Sequence, residues 1–342
     1  MTDIRLSQAA QWLNSQQSSL AQLGWQIAPE TLAPASSDAS FRRYFRLKAQ
    51  GPVQGAASSL ILMDAPPEKE SIGPFLKTVE IFAKAGAHVP QIVLANEAQG
   101  FLLCSDLGNA TFLNALRACK DNSDSATQLY RDAWQALVGF QSKAGNPDLP
   151  AYDAEMLMRE MRLFDEWYLA KHQTFTLSSA EFEQLMSIYD LVLKHCLAQP
   201  SVLVHRDYHS RNLMVLQYQN PGVLDFQDAV IGPITYDLVS LLRDAYIDWP
   251  EELQIDWAIR YWQDARAAAL PVPEDFGDFW RDFEWMGLQR HLKVLGIFAR
   301  LYHRDGKENY LQDLPLVKRY AINVAKRYQG LGPLAKLLER CA

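Results

Sequence analysis

The chain has 342 residues, 49% of them hydrophobic and 21% charged, and a net charge of −7 at pH 7. This length suits about two domains with a sizeable apolar core. The negative balance argues against a nucleic-acid partner, which would require a basic patch. No stretch reaches the roughly 18 uninterrupted apolar residues that a membrane-spanning helix needs, so we also expect no membrane partner.

The N-terminal segment contains no positively charged stretch that leads into an apolar run, so we expect no secretory signal. The four cysteines are widely separated and show no Cys-x-x-Cys spacing. We therefore expect reduced thiols in a cytoplasmic protein.

Short runs rich in aromatic and branched residues predict five strands before residue 105, and two helical patterns accompany them. The first strand begins at Trp25, and the small, polar run of residues 33–40 is predicted to interrupt it. The other predicted strands are residues 41–47, 59–63, 91–96 and 101–104, and the helical patterns are residues 5–23 and 75–85. Together they predict a small antiparallel sheet with a leading helix.

The sequence Ser-Asp-Leu-Gly at residues 105–108 breaks the strand pattern, and the chain turns helical from Thr111. We interpret this break as the hinge between an N-terminal domain, residues 1–105, and a C-terminal domain, residues 106–342. Asp106 is placed to cap the helix that starts near Thr111. Later helical patterns cover residues 127–144, 155–172, 178–197, 236–243, 253–270, 276–302 and 316–338.

The stretch of residues 202–228 carries polar residues at fixed distances within apolar runs. Asp207 follows the first run, Asn212 comes five residues later, and Asp225 follows thirteen residues after the asparagine. The polar segment 217–222 predicts the turn of a hairpin. A carboxylate just past a strand can accept the proton of an attacking hydroxyl, while an amide oxygen and a second carboxylate are hard ligands for Mg²⁺. This set predicts phosphoryl transfer, with Asp207 as base and Asn212 and Asp225 as metal ligands.

The order of these residues resembles that of eukaryotic-type kinases, in which His-x-Asp-x₄-Asn precedes Asp-Phe. Here the first motif reads HRDYHSRN, with His209 where protein kinases carry lysine, and Asp225 is followed by FQD rather than Phe-Gly. These features, with GPITYDL at residues 232–238, are similar to the aminoglycoside phosphotransferase and choline kinase superfamily, whose members phosphorylate small molecules. In that family Asp237 anchors its helix to the catalytic loop, and we interpret His205 as a buried residue that orients the loop.

The resemblance implies an α+β, bilobal, protein-kinase-like fold with a small antiparallel-sheet N-lobe and a larger, mostly helical C-lobe. It also implies ATP and Mg²⁺ as cofactors. In this superfamily the loop between the first two strands covers the nucleotide phosphates. Here it reads PASSDASFRRY and lacks the usual glycines, so the segment is either a phosphate-binding loop without glycines or an ordinary turn. The candidate nucleotide contacts are Ser36, Ser37, Ser40 and Arg43 in this loop, and Ser105 and Asp106 at the hinge.

The third-strand position that carries a phosphate-binding lysine in kinases holds Met63 or Asp64 here. Either Lys69 or Arg43 supplies the missing positive charge, or the lobe holds ATP differently. Lys69 also has a plain interpretation as a solvated side chain. Glu80 occupies the place of the lysine's usual partner and equally fits a solvent-facing position.

A closer resemblance covers nearly the whole chain. The segments SFRRYFRL, LMDAPPEKE, DEWYL, HRDYHSRNLMV, LDFQDAVIGPITYDLVSLLRD and GLQRHLKVLGIFARLYHRDGKENYLQDLP resemble the bacterial anomeric N-acetylmuramate/N-acetylglucosamine kinases of peptidoglycan recycling. The resemblance implies ATP-dependent phosphorylation of the C1 hydroxyl of an amino sugar. We therefore expect a small-molecule amino-sugar substrate, and we expect the enzyme to be a monomer.

Four side chains are candidates for the substrate site. Arg290 and Lys293 are three residues apart on a predicted helix, and they either meet an acidic group such as the lactyl carboxylate of N-acetylmuramate or face solvent. Glu166 is a candidate for binding sugar hydroxyls or the amide. Arg211, inside the catalytic loop, either reaches the acceptor or braces the loop.

Two other functions stay open at this point. The chain fits a kinase for another small alcohol or amine, such as an aminoglycoside, choline or homoserine. It also fits a nucleotide-binding pseudokinase scaffold, which the missing third-strand lysine favours. The presence of the base and both metal ligands argues against the scaffold, because a protein without catalysis has no need of all three.

Overall fold

Strands are concentrated before residue 105 and helices after it in the computed structural model, which describes residues 3–37, 41–52, 59–119 and 122–341. Five strands form one antiparallel sheet in the order β1-β2-β3-β5-β4. The elements of this part are α1 (Ile4–Ser15), α2 (Gln17–Gln22), β1 (Gln26–Ser37), β2 (Arg43–Gln50), β3 (Ser59–Asp64), α3 (Gly73–Lys84), β4 (Ile92–Asn96) and β5 (Phe101–Ser105). This arrangement confirms the predicted small antiparallel sheet with a leading helix.

The rest of the chain is mostly helical, with two short strand pairs around the predicted catalytic stretch. Its elements are α4 (Phe112–Ala118), α5 (Ser123–Lys143), α6 (Ala154–Leu163), a π-helix (Phe164–His172), α7 (Ser179–Leu197), β6 (Ser201–Val204), β7 (Leu213–Met214), β8 (Gly222–Val223), β9 (Val230–Pro233), α8 (Tyr236–Leu242), α9 (Glu251–Ala267), α10 (Phe276–Asp305), a 3₁₀ turn (Glu308–Asp313), α11 (Leu314–Arg327) and α12 (Gly332–Arg340). Within the described ranges, no helix is long and apolar enough to cross a membrane. The domain boundary at residue 105 stays a prediction.

The sheet is covered on both faces because side chains alternate along each strand. Leu60 and Leu62 of β3 pack in the same apolar cluster as Trp12 of α1. Met63, which points the other way, packs in the cluster that contains Phe75 of α3. The helices α1 and α3 therefore cover opposite faces of the sheet.

Charged residues fasten α1 to its face of the sheet. Asp64 at the end of β3 is fully buried and accepts hydrogen bonds from Arg5 (Nε to Oδ1, 3.0 Å) and Arg43 (Nη2 to Oδ2, 2.6 Å). Arg43 also pairs with Asp3, whose side chain caps α1 by accepting a hydrogen bond from the Leu6 amide. A buried carboxylate requires such partners because its desolvation is costly.

The helical part is organised around α10, which has 30 residues. Its residues 283–296 are buried without interruption, and the helix packs against α6, α7, α8 and α11. Gly296 permits the approach to α6, because a Cβ there would lie 2.3 Å from the carbonyl carbon of Leu163. The C-terminal end of α6 is therefore in direct backbone contact with α10.

Three predicted helices are each divided in two by the structure. Residues 5–23 form α1 and α2, residues 155–172 form α6 and the π-helix, and residues 316–338 fall in α11 and α12. The π-helix begins directly after Leu163, where the α10 backbone approaches most closely. Gly330, with a φ of +90°, and Pro333 in the first turn of α12 separate the last two helices.

The predicted hairpin in the catalytic stretch is confirmed. Strand β7 pairs with β8, so that Leu213 faces Val223 and Met214 faces Gly222. Strand β6 pairs instead with β9 on the far side of the stretch. The two pairs hold the loop after β6 and the loop after β8 close to each other, and these loops carry the candidate base and metal ligands.

Candidate active site

The catalytic loop after β6 is shaped by one buried carboxylate. Asp237, in the first turn of α8, accepts hydrogen bonds from the backbone nitrogens of His205 (2.7 Å) and Arg206 (3.0 Å). Arg206 has a φ of +76°, which is unfavourable for a residue with a Cβ. Burial raises the pKa of Asp237 to about 7, although both hydrogen bonds act to lower it. The contacts confirm that Asp237 anchors α8 to the loop.

His205 joins the two loops of the site. Its Nδ1 accepts a hydrogen bond from the Asp207 amide (3.2 Å), so its Nε2 is the nitrogen that donates to the Leu224 carbonyl oxygen (2.9 Å). Burial lowers the pKa of His205 to about 4, which keeps the ring neutral at pH 7. This confirms the predicted role of His205 as a buried residue that orients the loop.

Asp207 is half-buried and ionised at neutral pH. Burial by itself would raise the pKa of its carboxyl, but Lys293 above all, with His209 and Arg290, outweighs burial and lowers the pKa to about 2. An ionised carboxylate only accepts hydrogen bonds. Asp207 can therefore receive and orient a substrate hydroxyl.

Asn212 and Asp225 lie side by side next to Asp207. The Asn212 amide nitrogen donates to the Asp207 carbonyl oxygen (3.0 Å) and to the Asp225 carboxylate (3.1 Å), and Gln227 donates to the same carboxylate (2.7 Å). Since its nitrogen is engaged, Asn212 presents its amide oxygen beside the Asp225 carboxylate. An amide oxygen and a carboxylate are hard oxygen donors, which fit an Mg²⁺ ion that takes its other ligands from nucleotide phosphates and water.

A buried glutamate that the sequence analysis missed organises the cations around the base. Glu160 of α6 pairs with Arg206 and with Lys293 (3.0 Å), and it accepts hydrogen bonds from Tyr152 and Gln289 (3.3 Å). Burial opposes ionisation of Glu160, but Lys293 and Arg206 outweigh it and lower the pKa of its carboxyl. The sequence offered one sign of this role. Glu160 falls on the apolar face of an amphipathic helix, beside the buried residues Leu157 and Met161.

The four candidate substrate residues occupy different surroundings. Lys293 is buried, bound to Glu160 and to the Tyr236 hydroxyl (3.0 Å), and Arg290 is buried with its guanidinium 5.6 Å from the centre of the Tyr236 ring. Neither residue faces solvent. Glu166 is exposed on the π-helix and is paired with Arg162 at 3.6 Å rather than with a residue of the catalytic loop.

Arg211 is half-buried, and its guanidinium carbon lies 3.5 Å from the centre of the Tyr246 ring. Of the four candidates, this arginine and the two residues on α10 are thus brought close to the base. Binding of substrate by any of the four stays a prediction.

The nucleotide-side candidates lie along the first hairpin of the sheet. Strand β1 stays paired with β2 as far as Ser37, which faces Arg43, so the predicted interruption at residues 33–40 is wrong within the described part. Ser36 pairs with Tyr44 through the backbone, and Ser40 lies outside the described residues. Arg43 points to the α1 face, where it binds Asp3 and Asp64.

Arg42, one residue earlier, is a cation on the opposite face. It is 5% exposed and pairs with Glu70, which precedes α3. The α3 face is also the face of the metal loop, because Phe75 of α3 packs against Phe226, the residue after Asp225, with ring centres 4.9 Å apart. Arg42 is not among the residues predicted to contact nucleotide, since only its alternation with Arg43 distinguishes the two arginines.

Lys69 lies in an exposed turn, with its ammonium 5.6 Å from the centre of the Phe41 ring. The third-strand position that holds lysine in kinases corresponds to Met63, since Met63 faces α3 and Asp64 faces α1. Glu80 is exposed and pairs with Lys84, which confirms its solvent-facing interpretation. A lysine and glutamate pair of the kinase type is therefore absent between these described positions.

The hinge is fixed by side chains of the sheet. Asp106 pairs with Arg46 and accepts hydrogen bonds from Ser59 (2.6 Å) and the Gly108 amide (2.9 Å). Ser105 exchanges hydrogen bonds with the backbone of Gln91. The prediction that Asp106 caps the next helix is wrong, because the cap of α4 is Thr111, which accepts from the Asn114 amide (3.3 Å). Contact of Ser105 and Asp106 with nucleotide stays a prediction.

This arrangement of Asp207, Asn212 and Asp225 beside a small sheet can be compared with known proteins. The model of the phosphotransferase enzyme family matches residues 31–279. The chain belongs to this family. Among curated relatives, the N-acetylmuramate/N-acetylglucosamine kinase of Pseudomonas aeruginosa is 46% identical over 341 residues, covering 98% of this chain and 96% of the relative. The protein of the same name from Neisseria meningitidis is 48% identical over 305 residues, covering 89% and 88%.

Solved structures of this phosphotransferase's fold include the ADP-bound aminoglycoside phosphotransferase APH(2'')-Ib, with a TM-score of 0.57, 15% identity, and coverage of 92% of this chain and 97% of that one. The choline kinase LicA from Streptococcus pneumoniae has a TM-score of 0.60, 8% identity, and coverage of 92% and 99%. At these identities the similarity concerns the fold alone. It confirms the predicted protein-kinase-like α+β architecture.

Proposed function

We propose that the protein is an ATP-dependent and Mg²⁺-dependent kinase that phosphorylates the C1 hydroxyl of N-acetylmuramate and N-acetylglucosamine. The observation that carries this proposal is the ionised Asp207 beside Asn212 and Asp225. The chain is also 46% and 48% identical to two kinases named for these sugars, over most of their length. The same names support a small amino sugar as the acceptor.

In the proposed reaction, the Asp207 carboxylate accepts a hydrogen bond from the C1 hydroxyl and orients its oxygen toward the γ-phosphorus. The bond from this oxygen to phosphorus forms, and the bond from phosphorus to the bridging oxygen of ADP breaks. Asp207 takes up the hydroxyl proton. An anomeric hydroxyl is more acidic than an ordinary alcohol, so a carboxylate with a pKa of about 2 serves mainly as an orienting and late-acting base.

Two groups of this chain would hold the nucleotide phosphates. Asn212 and Asp225 would bind Mg²⁺, which neutralises phosphate charge when bound. Arg42 would supply the fixed positive charge that Met63 does not, since Arg42 lies on the α3 face of the sheet and is oriented there by Glu70. A planar guanidinium suits phosphate because it donates two parallel hydrogen bonds.

The sugar 1-phosphate product suits a pathway that returns cell-wall amino sugars to nucleotide-sugar synthesis, and we propose peptidoglycan recycling in the cytoplasm as the setting. The supporting observations are the relatives' names and four cysteines that are all free thiols. We further propose that the enzyme acts as a monomer, because base, metal ligands and phosphate cation all come from one chain.

The first test is ATP consumption with Mg²⁺ and a panel of N-acetylmuramate, N-acetylglucosamine, glucose, kanamycin, choline and homoserine, followed by phosphorus NMR of each product. We expect turnover with both amino sugars and a phosphorus signal coupled to the anomeric proton. The matched control is the methyl glycoside of N-acetylglucosamine, in which C1 carries no hydroxyl and no product should form.

Three results would contradict the proposal. Phosphorylation of the methyl glycoside would place the reaction at another hydroxyl. Turnover with kanamycin, choline or homoserine alone would assign a different acceptor. Nucleotide binding without turnover on the whole panel would favour the pseudokinase scaffold.

A further inference from the structure

The guanidinium of Arg211 is held in place while its hydrogen-bonding edge is left available. Its carbon lies 3.5 Å from the centre of the Tyr246 ring and 5.8 Å from that of Tyr310. Among the residues that the structure describes, Arg211 forms neither an ion pair nor a hydrogen bond within the usual distances. Stacking uses the face of the guanidinium, so the N–H groups along its edge remain free to bind a ligand.

One buried carboxylate fixes both the arginine's loop and its aromatic support. Asp244 accepts hydrogen bonds from the backbone and hydroxyl of Ser210, the residue before Arg211, and from the Tyr246 amide (3.0 Å). Phe298 of α10 packs on the Tyr246 ring, with ring centres 6.0 Å apart. The position of the Arg211 guanidinium is therefore determined before any ligand binds, which lowers the entropic cost of binding.

The surroundings favour a negatively charged ligand group at this edge. Arg117 donates a hydrogen bond to the Tyr246 carbonyl oxygen (3.4 Å) and adds a second positive charge beside the same residue. The negative charge of Asp244 is already met by three donors, and Asp313 lies farther than an ion-pair distance from Arg211. By contrast, the cations nearest to the base are engaged with Glu160 and Tyr236 of the protein itself.

Arg211 is also close to the place of reaction. It lies four residues after Asp207 in the same loop and directly before Asn212. His209, between the base and Arg211, packs against the Tyr246 ring at 5.4 Å between centres. An acceptor whose hydroxyl meets Asp207 would therefore extend its other substituents along His209 and Tyr246 toward Arg211.

We propose that Arg211, supported by Tyr246, binds the carboxylate of an acidic acceptor, which for N-acetylmuramate is the lactyl carboxylate. This inference rests on the proposed function, and it assigns to Arg211 the contact that the sequence suggested for Arg290 and Lys293. Because the carboxylate is remote from the reacting C1 oxygen, its contact should stabilise ground state and transition state alike. The effect of removing it should accordingly appear in KM more than in kcat.

The test measures kcat/KM for three acceptors, N-acetylmuramate, its carboxamide and N-acetylglucosamine, with the wild type, Arg211→Gln and Arg211→Lys. In the wild type we expect N-acetylmuramate to exceed its carboxamide by about 10- to 100-fold, the range of a charge-assisted hydrogen bond. In Arg211→Gln this ratio should fall to near 1. Arg211→Lys should keep part of the ratio, because it retains the charge but loses the stacked, bidentate geometry.

Two further variants separate recognition from folding. Tyr246→Leu removes the aromatic support and should also reduce the ratio, while Arg260→Gln removes a half-buried, paired arginine on α9 and should leave it unchanged. A ratio that stays at its wild-type value in Arg211→Gln, with all three acceptors reduced equally, would overturn the inference and assign Arg211 to bracing the loop. No sugar phosphorylation by the wild type would instead overturn the proposed function.

Discussion

The catalytic loop and the sheet beside it both depend on a buried carboxylate, but they use it differently. Asp237 accepts hydrogen bonds from two backbone amides and so fixes the path of the chain around Asp207. Asp64 forms ion pairs with the guanidinium groups of Arg5 and Arg43 and so joins α1 to the sheet. The first contact shapes a loop that carries the chemistry, whereas the second attaches one element to another and directs Arg43 away from the metal loop.

The difference has a functional consequence. In the catalytic loop, Asp207 and Asn212 are held in position by backbone contacts. In the sheet, Arg43 is paired with Asp64 on the α1 face, whereas Arg42 and Arg46 lie toward the face of the metal loop and are paired with Glu70 and Asp106. Changes in the catalytic loop should therefore lower turnover, and changes in the hairpin should lower nucleotide affinity.

The largest effect is expected for Asp207→Asn, which removes the proton acceptor but keeps the shape of the loop. We expect kcat to fall by about 10²- to 10⁴-fold, the usual contribution of general-base catalysis. The KM for ATP should stay close to the wild type, because the backbone contacts of Asp207 persist. The melting temperature should fall, because Lys293 and Arg290 lose a neighbouring negative charge. Steady-state kinetics measures kcat and KM, and thermal unfolding measures the melting temperature. The control is Asp228→Asn, an exposed neighbour of the metal loop, and unchanged turnover in Asp207→Asn would exclude Asp207 as the base.

The next largest effect concerns stability rather than chemistry. Glu160→Gln keeps the shape of a buried side chain but leaves Arg206 and Lys293 without their shared negative charge. Breaking a buried ion pair on one side typically costs about 3 to 5 kcal/mol. We expect a decrease of about 3 kcal/mol in the free energy of unfolding by urea, with an unchanged denaturant slope.

The matched control for this variant is Glu155→Gln on the same helix, where the glutamate is exposed and lies 4.0 Å from Arg159. Such a surface pair contributes little, so its loss should leave the unfolding midpoint nearly unchanged. Equal effects of the two variants would show that the cations around Asp207 do not depend on Glu160.

Features encoded within a short segment were predictable from sequence. The hairpin of β7 and β8 and the adjacency of Asn212 and Asp225 follow from spacing within one continuous stretch, and the anchoring role of Asp237 follows from the family resemblance of the segment just after it. The division of the long helical patterns was not predictable, because the close approach of Gly296 to Leu163 joins residues from distant parts of the chain.

The roles of charged residues were the hardest to infer, because a charge's partner can lie anywhere in the sequence. Asp106 has the residue type and the sequence position of a helix cap, yet it pairs with Arg46, sixty residues earlier. Glu160 reads as an ordinary helix residue until Arg206 and Lys293 are brought against it. Local pattern fixes the backbone of such positions but leaves their electrostatic partners undetermined.

The smallest effect is expected for the cation that contacts the nucleotide phosphates. The two candidates are Arg42, just before β2, and Lys69, in the turn after β3. Arg42→Gln should raise the KM for ATP by about 10-fold, because it removes a charge-assisted hydrogen bond to phosphate. Lys69→Gln, the matched control, should change this KM by less than about 2-fold, since a solvated charge is strongly screened. The opposite order would assign the phosphate contact to Lys69, the cation that the sequence suggested. It would also mean that the strand face on which an arginine lies does not decide which cation meets the phosphates.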